Sequence, residues 1–309
     1  MQSSLALLLA IFVFTTAAAA EEAKPAAGLP AALIAPGAKL EKVASDYIFT
    51  EGPAADSEGN VYFTDQPNDR ILKWSAADGK ITDFLKPAGR SNGLCFDKAG
   101  RLIACADDKN ELWAIDVKTK AVTVLLKNFG GKLLNGPNDV WCAPDGGIYF
   151  TDPFYKREYW TRDTKPQQDV RAVYYLPAGA TEPRRVATDL TQPNGIIGTP
   201  DGKMLYVADI DAKKTYSYTI SPNGDLADKK LFCSMGSDGM TLDAAGNLYL
   251  TGKGVTVFDK AGTKIGQIEV PGGWTANICF GGSGMDTLFI TASKSVFTLK
   301  MNVKGAGSQ

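Results

Sequence analysis

The chain has 309 residues, 33 Lys and Arg against 34 Asp and Glu, a formal net charge of -1, and no histidine. Near-neutral charge without a basic cluster excludes the electrostatic footprint that nucleic-acid backbones require. The missing imidazole excludes every mechanism with a histidine base and every His-ligated metal site.

In chain order, residues 1–20 carry no charged side chain, and the apolar run Leu5 to Phe14 followed by Ala17 to Ala20 reads as a signal peptide cleaved after Ala20. Export to the periplasm or beyond the cell is the expectation. Residues 21–39 are rich in Ala and Pro and read as a flexible linker. No later segment has the length of a membrane span. Five cysteines, Cys95, Cys105, Cys142, Cys233 and Cys279, form none of the close pairs of zinc or redox motifs. Free, buried thiols are expected, with one or two disulfides left open.

From residue 40 a unit recurs: a polar residue, a short apolar run, a turn ending in Gly, and a second apolar run. The turn glycines are Gly59, Gly100, Gly146, Gly202, Gly246 and Gly284, separated by 41, 46, 56, 44 and 38 residues. Each unit is a β-hairpin, and the interval is that of one four-stranded propeller blade. No amphipathic helical pattern separates the runs, which argues against an α/β fold. The sequence therefore predicts an all-β, six-bladed β-propeller over 40–303 with a short tail at 304–309. The segment Leu40 to Ala44 is expected to close the ring as the outer strand of the last blade, beside Ser295 to Met301.

Eight residues before the turn glycines stand Glu51, Asn92, Asn138, Asn194, Asp238 and Ala276. The first strand of every propeller blade lines the central channel, so these six positions face one axis. Five oxygen-bearing side chains in a narrow channel are costly unless something binds them. An oxygen donor set with two carboxylates suits a hard divalent cation, calcium first, with magnesium and manganese behind it. The aspartates that close the second runs, Asp65, Asp107, Asp152 and Asp209, are expected to bond turn backbone. The longest interval holds an insertion, Phe154 to Gln168, expected to lie over the channel mouth as a lid, with Tyr155, Tyr159 and Trp160 as substrate contacts. Asn92 is expected to orient substrate from the channel wall.

The motifs Glu51-Gly-Pro53, Pro137-Asn-Asp139 with Tyr149-Phe-Thr-Asp-Pro153, Gln192-Pro-Asn-Gly195 and Ser237-Asp-Gly-Met240 resemble those of the gluconolactonase / senescence-marker-protein-30 family. The resemblance implies a six-bladed propeller whose divalent ion, calcium or by family likeness zinc, is held by Glu51, Asn138, Asn194 and Asp238. It further implies that Asp238 is the acid/base residue of a lactone hydrolase. Two departures concern substrate contacts: Ala106-Asp107-Asp108 stands where gluconolactonase-type members often have a Glu-His pair, and Gly136 where animal sugar lactonases place an Arg. The alternatives are an organophosphate or aryl esterase, and a non-catalytic propeller that binds a small molecule or serves as a scaffold.

Overall fold

The computed structural model describes residues 28–30, 32–161 and 165–307, so the expected signal peptide and the first part of the expected linker lie outside the described residues. Strand β1 (Glu41–Ala44) precedes the first blade, which is β2 (Thr50–Ala55), β3 (Val61–Asp65), β4 (Arg70–Trp74) and β5 (Ile81–Leu85). The second blade is β6 (Ser91–Phe96), β7 (Leu102–Ala106), β8 (Glu111–Ile115) and β9 (Val122–Leu126), and the third β10 (Val140–Cys142), β11 (Ile148–Asp152), β12 (Ala172–Leu176) and β13 (Arg184–Ala187). The fourth is β14 (Pro193–Gly198), β15 (Met204–Asp209), β16 (Lys214–Ile220) and β17 (Leu226–Cys233). The fifth is β18 (Met240–Leu242), β19 (Leu248–Gly252), β20 (Gly254–Phe258) and β21 (Lys264–Ile268). The sixth takes β22 (Thr275–Gly281), β23 (Thr287–Ala292) and β24 (Ser295–Lys300).

Each blade is a four-stranded antiparallel sheet, and the sixth is completed by β1 in the order β1-β24-β23-β22. The pairing is antiparallel, Glu41 opposite Thr298 and Lys42 opposite Phe297. The two ends of the chain thus share one sheet, which leaves no open seam in the ring. Aromatic packing spans the same joint, with the Phe63 and Phe289 rings 5.3 Å apart.

Second strands are buried along their whole length, as in Val61–Asp65, Leu102–Ala106 and Ile148–Asp152. A blade is covered on both faces by its neighbours, so continuous apolar runs replace the alternation of a one-sided sheet. Tyr149, Phe150, Tyr174, Tyr249 and Phe289 are fully enclosed, each side chain stabilising the fold by roughly 1.5–3 kcal/mol through burial. The turn glycines Gly59, Gly100, Gly146, Gly202 and Gly246 sit at φ between +70° and +91°, a conformation that favours Gly. Gly284 differs: in the sixth turn Gly282 and Met285 take the positive φ instead.

The described part of the expected linker is packed against the ring rather than free. Leu33 is buried with Tyr249, Val255, Phe297 and Met301, while Leu29, Ile34 and Leu40 pack against the same cluster. The backbone bridges Ile34 to Met301 and Gly28 to Gln267. Apolar side chains spaced through an Ala/Pro-rich stretch supply the burial that its composition alone conceals. The tail is anchored too, with Gly305 N–H on the Met285 carbonyl at 2.8 Å and Ala306 N–H on the Leu242 carbonyl at 2.9 Å.

Candidate active site

Three of the strand-closing aspartates do what their position suggests. Asp65 accepts the N–H groups of Ile48 and Phe49 at 3.1 and 3.3 Å. Asp152 accepts those of Asn135 and Gly136 at 2.9 and 2.8 Å, and Asp209 those of Thr191 and Gln192 at 2.7 and 2.9 Å. In each blade the clamped backbone lies two and three residues before the channel residue, so the carboxylate of the second strand fixes the entry of the first. This delivers Glu51, Asn138 and Asn194 to the axis from a rigid base.

The residue after the channel side chain is Gly in four blades because the next blade stands where a side chain would go, with its backbone at Gly52, Gly93 and Gly195 and with the Asn277 side chain at Gly239. A Cβ at Gly93 would lie 2.6 Å from the Asn138 carbonyl oxygen, and one at Gly195 2.8 Å from that of Asp238. The ring is therefore tight enough at its centre to bring successive channel residues together.

Glu51, Asn92, Asn138 and Asp238 line one cavity of about 320 Å³ with Phe49, Tyr155, Arg157, Ile210, Asp211 and Trp274. Asn194 borders it: its Nδ2 donates to Asp238 Oδ1 at 2.8 Å and to the Tyr155 hydroxyl at 2.9 Å. The second oxygen of Asp238 accepts the Trp274 indole N–H at 2.6 Å. Glu51 Oε2 accepts the N–H of Gly52 at 2.8 Å. Burial, then the neighbouring Asp238 charge, raises the Glu51 carboxyl well above its usual range. Burial pushes Asp238 up to about 6, against the Trp274 and Asn194 hydrogen bonds that favour its charged form.

These features test the site for a cation. The Asn194 Oδ1 is buried and has no hydrogen-bond partner, an arrangement that costs about 1–3 kcal/mol unless a ligand meets it. Two enclosed carboxyls held toward neutrality by burial, Glu51 further by the Asp238 charge, are relieved by a divalent charge beside them. Among the described residues no group of three His, Cys, Asp or Glu side chains converges; the donors here are two carboxylates and amide oxygens, the hard set that calcium takes. The residues fit such an ion.

The insertion reaches the mouth, but not with all its aromatics. Tyr155 lines the cavity, and burial pushes its hydroxyl up to about 12. Tyr159 instead bonds Asp107 Oδ2 at 2.7 Å, under the Arg90 guanidinium 4.3 Å from its ring. Trp160 is buried against Phe154, ring centroids 5.9 Å apart. Neither of these two is among the residues lining the cavity.

Arg157, Trp274, Asp211, Phe49 and Ile210 were not singled out by sequence. Phe49 and Trp274 stand two residues before the channel positions Glu51 and Ala276, a common offset that could have drawn attention to them. The polar residue one step after the channel position also matters: Asp139 and Asn277 lie beneath the site, where burial pushes Asp139 up to about 7 and Asn277 favours the ionised form of both Asp139 and Glu51. All five cysteines are free thiols. Cys95 Sγ, on β6, accepts the N–H of Cys142, on β10, at 3.1 Å.

A six-bladed ring with oxygen donors gathered at one end of its axis defines a propeller with an axial ligand site. The chain belongs to the SMP-30/Gluconolactonase/LRE-like family, whose profile matches residues 49–294. It is 29% identical over 296 residues to a gluconolactonase of Zymomonas mobilis, covering 86% of this chain and 82% of that protein. A solved gluconolactonase from Xanthomonas campestris superposes with a TM-score of 0.82 at 28% identity, covering 90% of this chain and 95% of that one. A calcium-binding protein of Agrobacterium tumefaciens, regucalcin, shares the fold with a TM-score of 0.73 at 21% identity over 87% of this chain and 95% of that one.

Proposed function

We propose that the protein is an exported lactone hydrolase that works with one divalent cation, calcium, held by Glu51, Asn138, Asn194 and Asp238. The observation that carries this reading is the convergence of those four residues at one cavity, with the Asn194 Oδ1 buried and unmet. The gluconolactonases to which the chain is similar support the choice of a lactone over other esters.

When bound, the cation supplies Lewis-acid polarisation of the lactone carbonyl. The chain's own groups do the rest. Asp238 accepts the proton of the attacking water. Trp274 and Asn194 each donate to a different oxygen of that carboxylate, which fixes its plane and leaves a lone pair on each oxygen. Tyr155 braces Asn194 from the insertion side. Asn92 on the wall and the apolar Phe49 and Ile210 shape the space left for the substrate ring. Glu51 stays a charge partner at the base, where Gly52 and Asn277 favour its ionised form.

The test is hydrolysis of aldonolactones, simple γ-lactones and aryl esters by wild type and Asp238→Asn, with and without chelator. Lactone turnover that chelator stops, calcium restores and the variant loses by at least about 10²–10³-fold is the expected result. Equal rates in the variant would remove Asp238 from the chemistry, and indifference to chelator would remove the ion. Export is checked by the mass of the mature protein from the native host, expected to begin at Glu21.

A further inference from the structure

Asp107, at the end of the second strand of the second blade, reaches across to the insertion. The entry of that blade is held from the first one, where Asp69 Oδ1 accepts the N–H groups of Ala88 and Arg90 at 3.0 and 2.7 Å. Asp107 is only 4% exposed, and its Oδ2 faces the insertion. It accepts Tyr159 Oη at 2.7 Å, Arg157 Nε at 3.3 Å and Gln66 Nε2 at 3.4 Å. The space is reserved for it: a Cβ at Gly136, itself at φ +144°, would lie 2.9 Å from Asp107 Oδ1.

What this latch holds is the only Arg or Lys among the described residues lining the cavity. The Arg157 guanidinium is fixed on one edge by Asp107 and on its face by the Tyr155 ring, 5.2 Å away. Among the described residues only Nε is engaged with a carboxylate; the side chain is 25% exposed and lines the cavity, to which its two Nη groups can donate. A planar fork held from two sides matches a carboxylate in bidentate fashion with little left to reorganise. Opening a lactone creates one carboxylate, at the carbonyl carbon, beside the Asp238 whose charged form Arg157 already favours.

We propose that Arg157 is the anion-contacting residue of this cavity, gripping the carboxylate of a bound organic acid through its Nη groups, with Asp107 as the residue that positions it. That the acid is the product of ring opening rests on the lactone hydrolase reading; the anion site itself does not.

The experiment titrates the calcium-loaded full chain with gluconate, and separately with the uncharged polyol sorbitol, in calorimetry. Wild type, Arg157→Ala, Arg157→Lys and Asp107→Asn are compared, and calcium affinity is measured for each. With calcium kept saturating for each variant at its own measured affinity, wild type should bind gluconate over sorbitol, Arg157→Ala should lose at least tenfold in gluconate affinity, and Arg157→Lys and Asp107→Asn should fall between. Free guanidinium should restore part of the binding to Arg157→Ala, which a merely structural role would not allow. Wild-type failure to bind gluconate, or equal gluconate affinity in wild type and Arg157→Ala, would overturn the proposal. Lactone turnover by the same samples separates the two ideas: turnover with an unaffected Arg157→Ala sinks only the anion site, and gluconate binding without turnover sinks only the hydrolase.

Discussion

The two ends of the central channel are built from the same six inner strands and behave as opposites. At the mouth the strand starts carry Glu51, Asn92, Asn138, Asn194 and Asp238, and the cavity there is polar at its base. A few residues along, the same strands present Ala54, Leu94, Val140, Ile196, Met240 and Ile278 to a second space of about 250 Å³, which Gly305 and Ala306 of the tail help to wall. Asp139 and Asn277 line that second space while acting electrostatically on Glu51. A propeller axis is therefore not one environment. The ring gives six-fold access to a point, and the sequence decides at which height polar groups gather for a ligand to meet them, and at which apolar side chains predominate.

The most severe way to break that division is to put a further charge at the apolar end. Ile196 is 2% exposed, and Ile196→Asp leaves a buried carboxyl with no partner, a cost of about 3–5 kcal/mol. Urea denaturation should register a fall of that size, whether calcium is present or not. At the mouth Asn194→Ala should behave in reverse. It removes a buried oxygen that has no partner together with the Nδ2 that donates to Asp238 and Tyr155, so the calcium-free protein should lose about 1–3 kcal/mol, while calcium affinity should drop at least tenfold by calorimetry. An Asn194→Ala protein as destabilised as Ile196→Asp would mean that the polar end is held by packing and not poised for a ligand.

Between these extremes lie the clamps. Asp152→Ala strands the Asn135 and Gly136 N–H groups, at about 1–3 kcal/mol for the unmet donors. It should also weaken calcium binding through the Asn138 that follows them, although Asp152 lines no part of the cavity. Unchanged calcium affinity in this variant would show that Asn138 is placed by its own strand alone.

The ring and most of the mouth were readable in sequence because both are periodic. A polar leader, a turn glycine and a buried second run recur in each blade, and a residue at one repeat position must return to one axis, which is how Asn138 and Asp238 could be paired with Glu51 across long separations. What escaped was aperiodic. Arg157 comes from an insertion found in one blade only, so no repeat argument places it. Asp107 shares its repeat position with Asp152 and Asp209, so periodicity could not reveal its bonds to Tyr159 and Arg157 of the insertion. Residues 21–39 read as a flexible linker because Ala and Pro dominate them, yet in their described part a few apolar contacts, Leu33 among them, suffice to pin the segment to a sheet edge.

Acidity offers a gentler probe of the mouth. In calcium-free protein, burial pushes Asp238 up to about 6 and Asp139 to about 7 from an ordinary 3.8, and raises Glu51 well above its ordinary range. A raised carboxyl binds its proton more tightly in the folded chain, so this stabilisation is complete at low pH and is lost as pH rises through the folded values. Chelated protein should therefore melt at lower temperature at pH 7 than at pH 5. Calcium competes with the protons for Glu51 and Asp238, so its affinity should rise over the same interval and should cancel the loss at pH 7. A chelated melting temperature that instead rises from pH 5 to 7 would place the two carboxyls in a solvated setting and remove the electrostatic case for a cation.

The smallest expected effect comes from the lid. Tyr155→Phe removes one hydroxyl that accepts from Asn194 and keeps the ring on which Arg157 lies. Asn194 Nδ2 retains Asp238 Oδ1 at 2.8 Å, so the amide should turn little. Loss of a single neutral hydrogen bond is worth about 0.5–1.5 kcal/mol, which corresponds to a few-fold loss in calcium affinity and no change in folding stability beyond that amount. Tyr155→Ala also takes away the ring, and should add to this a loss of gluconate affinity as Arg157 gains freedom. If the Phe and Ala variants prove equal in both titrations, the ring does not hold the guanidinium, and the insertion touches the mouth only through the Asn194 hydrogen bond.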